Sequence, residues 1–461
     1  MQARDSAAMQ KSWWMKTLVI GGLAAALMIP VNMIRDLVAE RQARRDEAVQ
    51  GIAAGWGGRQ TVAAPYVAVP YERRWTELRQ ETVDGKLREI RAERSENGVL
   101  RFRAQDVRWT VSTAVAEKAR GIYKARLYDA HIEAHGWILL PARLGLPEAP
   151  GRYAYRWDRA RFVIGVSDPK GLRTVGRLEI DAASRELEAG AGDALVASGL
   201  GVSLPEVRAD DPSPRSLEFG FSLELAGLES LAVAPLGSAS IVAMRGDWPH
   251  PSFQGQFLPA SHSIGASGFS AEWRVSQYAA QGSERGLPSC SQPCGYAPQS
   301  LGVSFVEPAG LYQRLERASK YGFLFVALTF AAFALAELLG RAALHPVHYG
   351  LVGLALAMFF LLLTALSEHV EFLLAYAAAA SACVGLVTAY LVHVLRSARL
   401  GLLFGGALGA LYALLYSLLK AEDYALLGGA CLLFGLLAAV MIATRRVDWY
   451  AVAATRGTAR A

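Results

Sequence analysis

Apolar positions along this 461-residue chain follow two regimes. Near the N-terminus and through the last third they run almost unbroken for about 20 residues, the length a helix needs to cross a hydrocarbon core. Between these regions they alternate with polar residues at the two-residue period of half-exposed strands. Six long runs qualify as spans: 15–34, 321–340, 349–367, 371–395, 400–419 and 423–443. The pattern predicts a membrane protein of six transmembrane α-helices, one N-terminal and five C-terminal, with a large β-rich extracytoplasmic domain inserted after the first. The boundaries are a cytoplasmic N-terminus over 1–14, the first helix over 15–34, the β-rich domain over 35–319, the five-helix domain over 320–443 and a cytoplasmic tail over 444–461.

The insert carries its pattern in "GVLRFRAQDVRWTVSTAV", "GIYKARLYDAHIEAHGWILL", "YRWDRARFVIGV" and "RSLEFGFSLELAGL". Turn signals interrupt it at Asp168-Pro169-Lys170-Gly171, Asp211-Pro212-Ser213-Pro214 and Glu96-Asn97-Gly98. Antiparallel sheets with one wet face produce such alternation. Residues 36–50 read as an outward continuation of the first helix, with Glu40, Arg41, Arg44 and Arg45 spaced for i,i+4 pairing.

Orientation follows from the short loops, because Lys and Arg accumulate on the cytoplasmic side. Arg4, Lys11 and Lys16 precede the first span and set the N-terminus inside, which carries the insert across. Arg341, Arg396, Arg399 and the tail arginines then fall inside as well, while Glu368, Glu371, Lys420, Glu422 and Asp423 fall outside. A cleaved signal peptide is the rival reading of the first run. The apolar stretch over 18–34 exceeds the ~7–15 residues of a signal core, which favours a retained anchor.

Composition adds little to this picture and removes some alternatives. The chain is 53% hydrophobic and 19% charged, with a net charge of +6. Arginines of the insert alternate with acidic residues instead of forming basic blocks, so no nucleic-acid partner is expected. Cys290 and Cys294 stand in a Gly-, Ser- and Pro-rich stretch outside the membrane, where a local disulfide is the first reading, free thiols the second and a metal site the third. Cys383 and Cys431 lie within spans and read as packing residues.

Several motifs resemble those of the CreD family of bacterial inner-membrane proteins, which is linked with cell envelope integrity. They are "RGIYKARLYDA" (120–130), "SDPKGL" (167–172), "FLP" (257–259), "GFSAEW" (268–273), "KYGFLFVALTF" (320–330), "HPVHYGLVGLAL" (345–356), "LSEHVEF" (366–372), "EDYALLGGACLLF" (422–434) and "TRRVDWY" (444–450). The sequence departs from the expected pattern at Lys124-Ala125-Arg126, His348 and Glu371. The resemblance implies an inner-membrane location with a periplasmic domain and a part in the stress response of the envelope. It implies no reaction.

Candidate chemistry concentrates at the outer helix ends, where Glu368, His369 and Glu371 of one short hairpin can meet Glu422, Asp423 and Tyr424 of another. Helix capping and turn formation, a docking surface, and a catalytic or metal site are the three readings. At 1.5 Å per residue these groups lie about 30 Å from His345 and His348 at the other helix ends, so the two sets cannot share a metal. Glu337 is expected to pair with Arg341 one turn away. Arg445, Arg446, Asp448, Trp449 and Tyr450 follow the last span as cytoplasmic anchors, and Trp13 and Trp14 precede the first in the same role. Ala377–Ala380, Gly405, Gly406 and Gly409 read as close helix contacts.

No charge stands at mid-span, where ion-coupled transporters place ionisable groups. Hydrolase elbows, zinc-protease signatures and phosphate-binding Gly-rich loops followed by Lys do not occur. No catalytic residue, cofactor or metal ligand is therefore assigned. The expected function is a non-enzymatic module that supports or senses the cell envelope through contacts with membrane lipids, envelope proteins or peptidoglycan. The alternative is a membrane enzyme or transporter for an envelope lipid or small solute, acting at the outer hairpins. Oligomeric state is not legible.

Overall fold

A computed structural model describes residues 18–83, 86–146, 153–236, 239–279, 287, 299–305, 310–338, 344–420 and 425–445. The chain divides into two units, residues 47–308 and residues 1–46 with 309–461. Strands and helices are numbered here in chain order.

The first unit is a β-sandwich. One sheet runs in the spatial order β14 (Ser252–Gly255), β17 (Leu301–Ser304), β12 (Ser230–Ala234), β1 (Gln60–Val83), β5 (Ala160–Val166), β10 (Gly199–Leu204) and β9 (Glu188–Ala189). The other runs β15 (Ser261–Gly265), β16 (Gly268–Val275), β13 (Ser240–Gly246), β2 (Lys86–Arg120), β3 (Tyr123–Leu140) and β11 (Arg215–Leu228). β4 (Tyr153–Trp157) pairs with β1 over Tyr71–Trp75, β6 (Leu172–Val175) and β7 (Leu178–Ile180) flank β11, and β8 (Ala183–Arg185) pairs with β7. β2 belongs to both sheets. Its first half pairs with β1 and its second half with β3, and the switch is a bulge between Gln105 and Arg108 that puts Asp106 at φ 47°. One extra residue there kinks the strand from one sheet into the other.

The alternating sequences form these strands because every second residue enters one shared core. Leu217, Phe219, Phe221, Leu223 and Leu225 of β11 are buried, as are Trp109 and Val111 of β2. Rings from opposite sheets meet: Phe162 lies 5.4 Å from Phe219 and Phe253 lies 5.6 Å from Trp273, centroid to centroid.

Two turn signals hold. Asp168 Oδ1 accepts from Lys170 N at 3.1 Å, and Asp211 Oδ1 from Ser213 N at 3.1 Å. The third does not. Glu96-Asn97-Gly98 lies inside β2, which stays in register with β1 as far as Val83 opposite Lys86. Gly98 stands opposite Tyr71, where a Cβ would come within 2.4 Å of the phenol ring. The glycine serves a close approach in mid-strand, not a reversal.

The second unit is helical. α1 (Met28–Trp56) continues an apolar helix that begins at Leu18, and its residues after Asp46 belong to the sheet unit. α2 (Leu311–Lys320) is short and amphipathic. α3 (Gly322–Leu338), α4 (Pro346–Ser367), α5 (Phe372–Val394), α6 (Ala398–Lys420) and α7 (Ala425–Thr444) follow.

Among the described residues four helices, not the six expected, are long and apolar enough to cross a membrane: 18–56, 346–367, 372–394 and 398–420. The run at 321–340 forms α3, whose 17 residues rise only about 26 Å. The run at 423–443 forms the 20-residue α7, several of whose side chains lie outside the description.

Aromatic rings fill the helical core. Tyr412 lies 4.4 Å from Phe359 and 5.0 Å from Phe325, and Tyr376 donates to the Tyr412 carbonyl at 2.7 Å. Gly405 meets α5 closely, since a Cβ there would fall 2.0 Å from Thr388 Oγ1. Gly406 and Gly409, expected to act likewise, face open space. Cys383 packs as predicted beneath Tyr412, whose hydroxyl donates to Sγ at 3.3 Å. Cys431 is exposed instead, on a helix that is apolar throughout.

Candidate functional site

The sequence-predicted residues separate under the structure. Glu368, at the C-cap of α4, is nearly buried and already engaged. Tyr312 Oη of α2 donates to Glu368 Oε1 at 3.3 Å, and Arg41 Nε of α1 lies 3.7 Å from the same oxygen. This carboxylate gathers three helices. His369 and Glu371 beside it are exposed. Glu371 occupies the N-cap of α5 without a side-chain hydrogen bond, so the expected cap is made by position only. Glu422, Asp423, Tyr424, Arg446, Asp448, Trp449 and Tyr450 lie outside the described residues, as do Arg341, Cys290, Cys294, Trp13 and Trp14; Arg445 is exposed after α7.

At the opposite end of α4, His345 caps the helix, its Nδ1 accepting from Val347 N at 3.4 Å just ahead of Pro346. His348 Nδ1 lies 2.6 Å from Tyr390 Oη, and Glu337 accepts from Tyr349 Oη at 3.5 Å. These contacts join helix ends to one another.

Glu368 therefore positions helices, and His369 does not. Glu368→Ala is expected to lower the stability of the helical unit by about 1.5–3 kcal/mol, the scale of a hydrogen bond to a charged group. His369→Ala should be neutral. Thermal unfolding of the full chain in detergent checks both.

In the sheet unit "SDPKGL", read in the sequence only as a turn, also helps to fix α1. Gly58 N donates to Asp168 Oδ2 at 2.9 Å, directly after the helix end. Gln60, 1% exposed, donates through Nε2 to the Asp168 carbonyl at 2.9 Å and the Ala226 carbonyl at 3.2 Å. Trp56 of α1 lies between two cations, with Lys118 Nζ 3.8 Å and Arg173 Cζ 4.3 Å from its ring centroid. Val49 packs with Ala125, Leu127 and Leu228. "RGIYKARLYDA" contributes Ala125, Leu127 and Tyr128, whose hydroxyl donates to the Ser230 carbonyl at 2.7 Å. These motifs build a clasp that grips the last two turns of the helix.

Two clusters escaped sequence reasoning. Arg101 donates to Asp193 through Nε at 2.7 Å and Nη2 at 2.6 Å, and Tyr66 Oη donates to Asp193 Oδ2 at 2.7 Å. Both charged side chains are buried, at 0% and 2% exposure. Burial pushes the Asp193 carboxyl up, but the Arg101 and Tyr66 hydrogen bonds and the Arg101 charge outweigh it and hold the pKa below the ordinary value. Burial, then Asp193, raises Tyr66.

The second cluster is on the outer face of β3 and β11, where His131 Nε2 lies 3.1 Å from Glu133 Oε1 and Nδ1 2.6 Å from Glu224 Oε1. Hydrogen bonds to Glu133 and Glu224 raise its pKa. Stability from a raised histidine is complete below its unfolded value of about 6.5 and is lost as pH rises through the folded value. Thermal midpoints should therefore fall as pH rises above about 6.5, and His131→Ala should flatten that slope.

Shallow grooves of about 420 and 440 Å³ open on the sheet carrying β2, one beside Ser261–Ser263 and Glu272, the other beside His135, Trp137, Glu179 and Glu218. Among the described residues no three His, Cys, Asp or Glu are arranged to hold a metal.

Residues 12–450 match the family model described as Inner membrane protein CreD. The chain belongs to the CreD family. The inner membrane protein CreD of Escherichia coli (strain K12) is 32% identical over 439 residues, covering 95% of this chain and 94% of that protein. As a CreD protein the chain combines apolar membrane helices with a β-rich domain. Four of the CreD motifs met in the sequence supply helix-holding contacts: "SDPKGL" and "RGIYKARLYDA" in the clasp, "LSEHVEF" at the Glu368 junction and "HPVHYGLVGLAL" at the His345 cap.

Proposed function

We propose that this CreD protein is a non-enzymatic component of the inner membrane that supports or senses cell envelope integrity through a periplasmic β-sandwich. The observation that carries the reading is the clasp: one helix continues out of its apolar run without a break, and buried hydrogen bonds and two cations hold its end. A loose tether would suffice for a soluble enzyme kept near a membrane. A gripped helix suits a module in which events at the sandwich are felt by the spans.

In this reading the chain crosses six times, with α3 and α7 completing the set, both termini cytoplasmic and residues 35–319 periplasmic. The arginine distribution supports that orientation. Partners are envelope proteins or peptidoglycan on the sandwich side. Photo-crosslinking from exposed sandwich positions in intact cells tests it: capture of defined envelope components that depends on Asp168 and Gln60 is expected. Turnover of a lipid or solute by the purified protein, lost on changing Glu368 while fold and capture persist, would contradict it.

A further inference from the structure

One end of the helical unit carries arginines with buried nitrogens that meet no acceptor among the described residues. Arg35 Nε on α1 and Arg317 Nη1 on α2 are buried without a hydrogen-bond partner. Arg314, one turn before Arg317 on α2, lies over the Phe372 ring at 5.6 Å. Among the described residues none of the three has an ion pair, whereas their neighbours do. Arg41 takes Glu368, and Lys320 takes Glu316 at 2.8 Å. Asp36 and Glu371 are exposed.

The helices bring these arginines to one level. Val31 Cγ1 lies 3.0 Å from the position of a Cβ on Gly322, and ten residues later Arg41 reaches the carboxylate that Tyr312 also holds. Arg35 falls between those contacts on α1, and Arg317 falls between them on α2. Both helices change character here: Arg35 is the first charge after the apolar run from Leu18, and α2 ends just before apolar α3.

A buried N–H without an acceptor is costly, and planar guanidinium forks match phosphate oxygens. On the apolar side of the same level Ile29, Met33 and Phe323 are 64%, 66% and 56% exposed. An anion alone would leave that surface bare; a phosphate carrying acyl chains covers it.

We propose that Arg35, Arg314 and Arg317 hold the phosphate of a phospholipid headgroup, with its chains along Ile29, Met33 and Phe323. The site depends neither on which side of the membrane this end faces nor on the envelope reading above.

Native mass spectrometry of the full chain in detergent doped with dioleoylphosphatidylglycerol tests it. Retention of the phospholipid but not of dioleoylglycerol is expected, with millimolar inorganic phosphate failing to displace it. Arg35→Gln/Arg314→Gln/Arg317→Gln should bind about tenfold more weakly at an unchanged thermal midpoint. Arg317→Gln alone should show a smaller loss and serves if the triple variant does not fold. Equal retention by these variants, equal retention of dioleoylglycerol, or displacement by free phosphate would overturn the assignment.

Discussion

Asp193→Ala is expected to destabilise the β-sandwich by about 3–5 kcal/mol, the cost of breaking a buried ion pair from one side. The carboxylate accepts three hydrogen bonds, two from Arg101 and one from Tyr66, within side chains almost wholly withdrawn from water. Without it the buried Arg101 charge loses the carboxylate that takes two of its hydrogen bonds. Replacing both partners, Arg101→Met with Asp193→Leu, should recover most of the loss, because an apolar pair of similar bulk leaves no buried charge. Acid should act on the same pair. A carboxyl whose folded pKa lies below its unfolded value contributes stability above the unfolded value of about 3.9, and that contribution disappears as pH falls through the folded one. Urea unfolding followed by tryptophan fluorescence, at neutral pH and near pH 3, checks the single and double variants.

Gly171→Ala should cost about 3 kcal/mol, the upper range for overpacking a core. A Cβ there would sit 2.2 Å from the Ala226 carbonyl oxygen and 2.3 Å from Gln60 Nε2. The oxygen is backbone of β11 and cannot turn aside. Gln60 must withdraw, and its hydrogen bonds to Asp168 and Ala226 lengthen or break. The effect should also be local. Amide hydrogen exchange at Gly58 and over the last turns of α1 should quicken more than exchange in the distant β13–β16 pair, because the clasp opens before the sandwich does. Uniform quickening would mean that the clasp has no separate existence.

Much of this was legible in the chain. The period-two segments predict β2, β3, β5 and β11, and the charge spacing after Ile34 predicts the extension of α1. Local patterns report local structure, since alternation and i,i+4 spacing are set within one element. Contacts between distant residues leave no such trace. Arg101 and Asp193 stand 92 positions apart, and nothing near Asp193 marks it as buried. His131 and Glu224 are 93 apart and meet only because β3 and β11 share a register. The Asn97-Gly98 dipeptide misled because its turn chemistry is indistinguishable in sequence from a glycine that makes room for Tyr71. Of the cluster expected at the helix ends, Glu422, Asp423 and Tyr424 lie outside the described residues. Glu368 is a junction, but its partners are Arg41 and Tyr312, hundreds of positions and tens of positions away, not the adjacent His369.

The most direct test of the account is sided labelling of single cysteines in a variant lacking the four native ones. With Ser184→Cys on the sandwich and Arg399→Cys in the first turn of α6, a membrane-impermeant maleimide applied to spheroplasts should modify the first at once and the second only after lysis. Labelling of Arg399→Cys in intact spheroplasts, with Ser184→Cys protected until lysis, would place the β-sandwich in the cytoplasm and contradict the account.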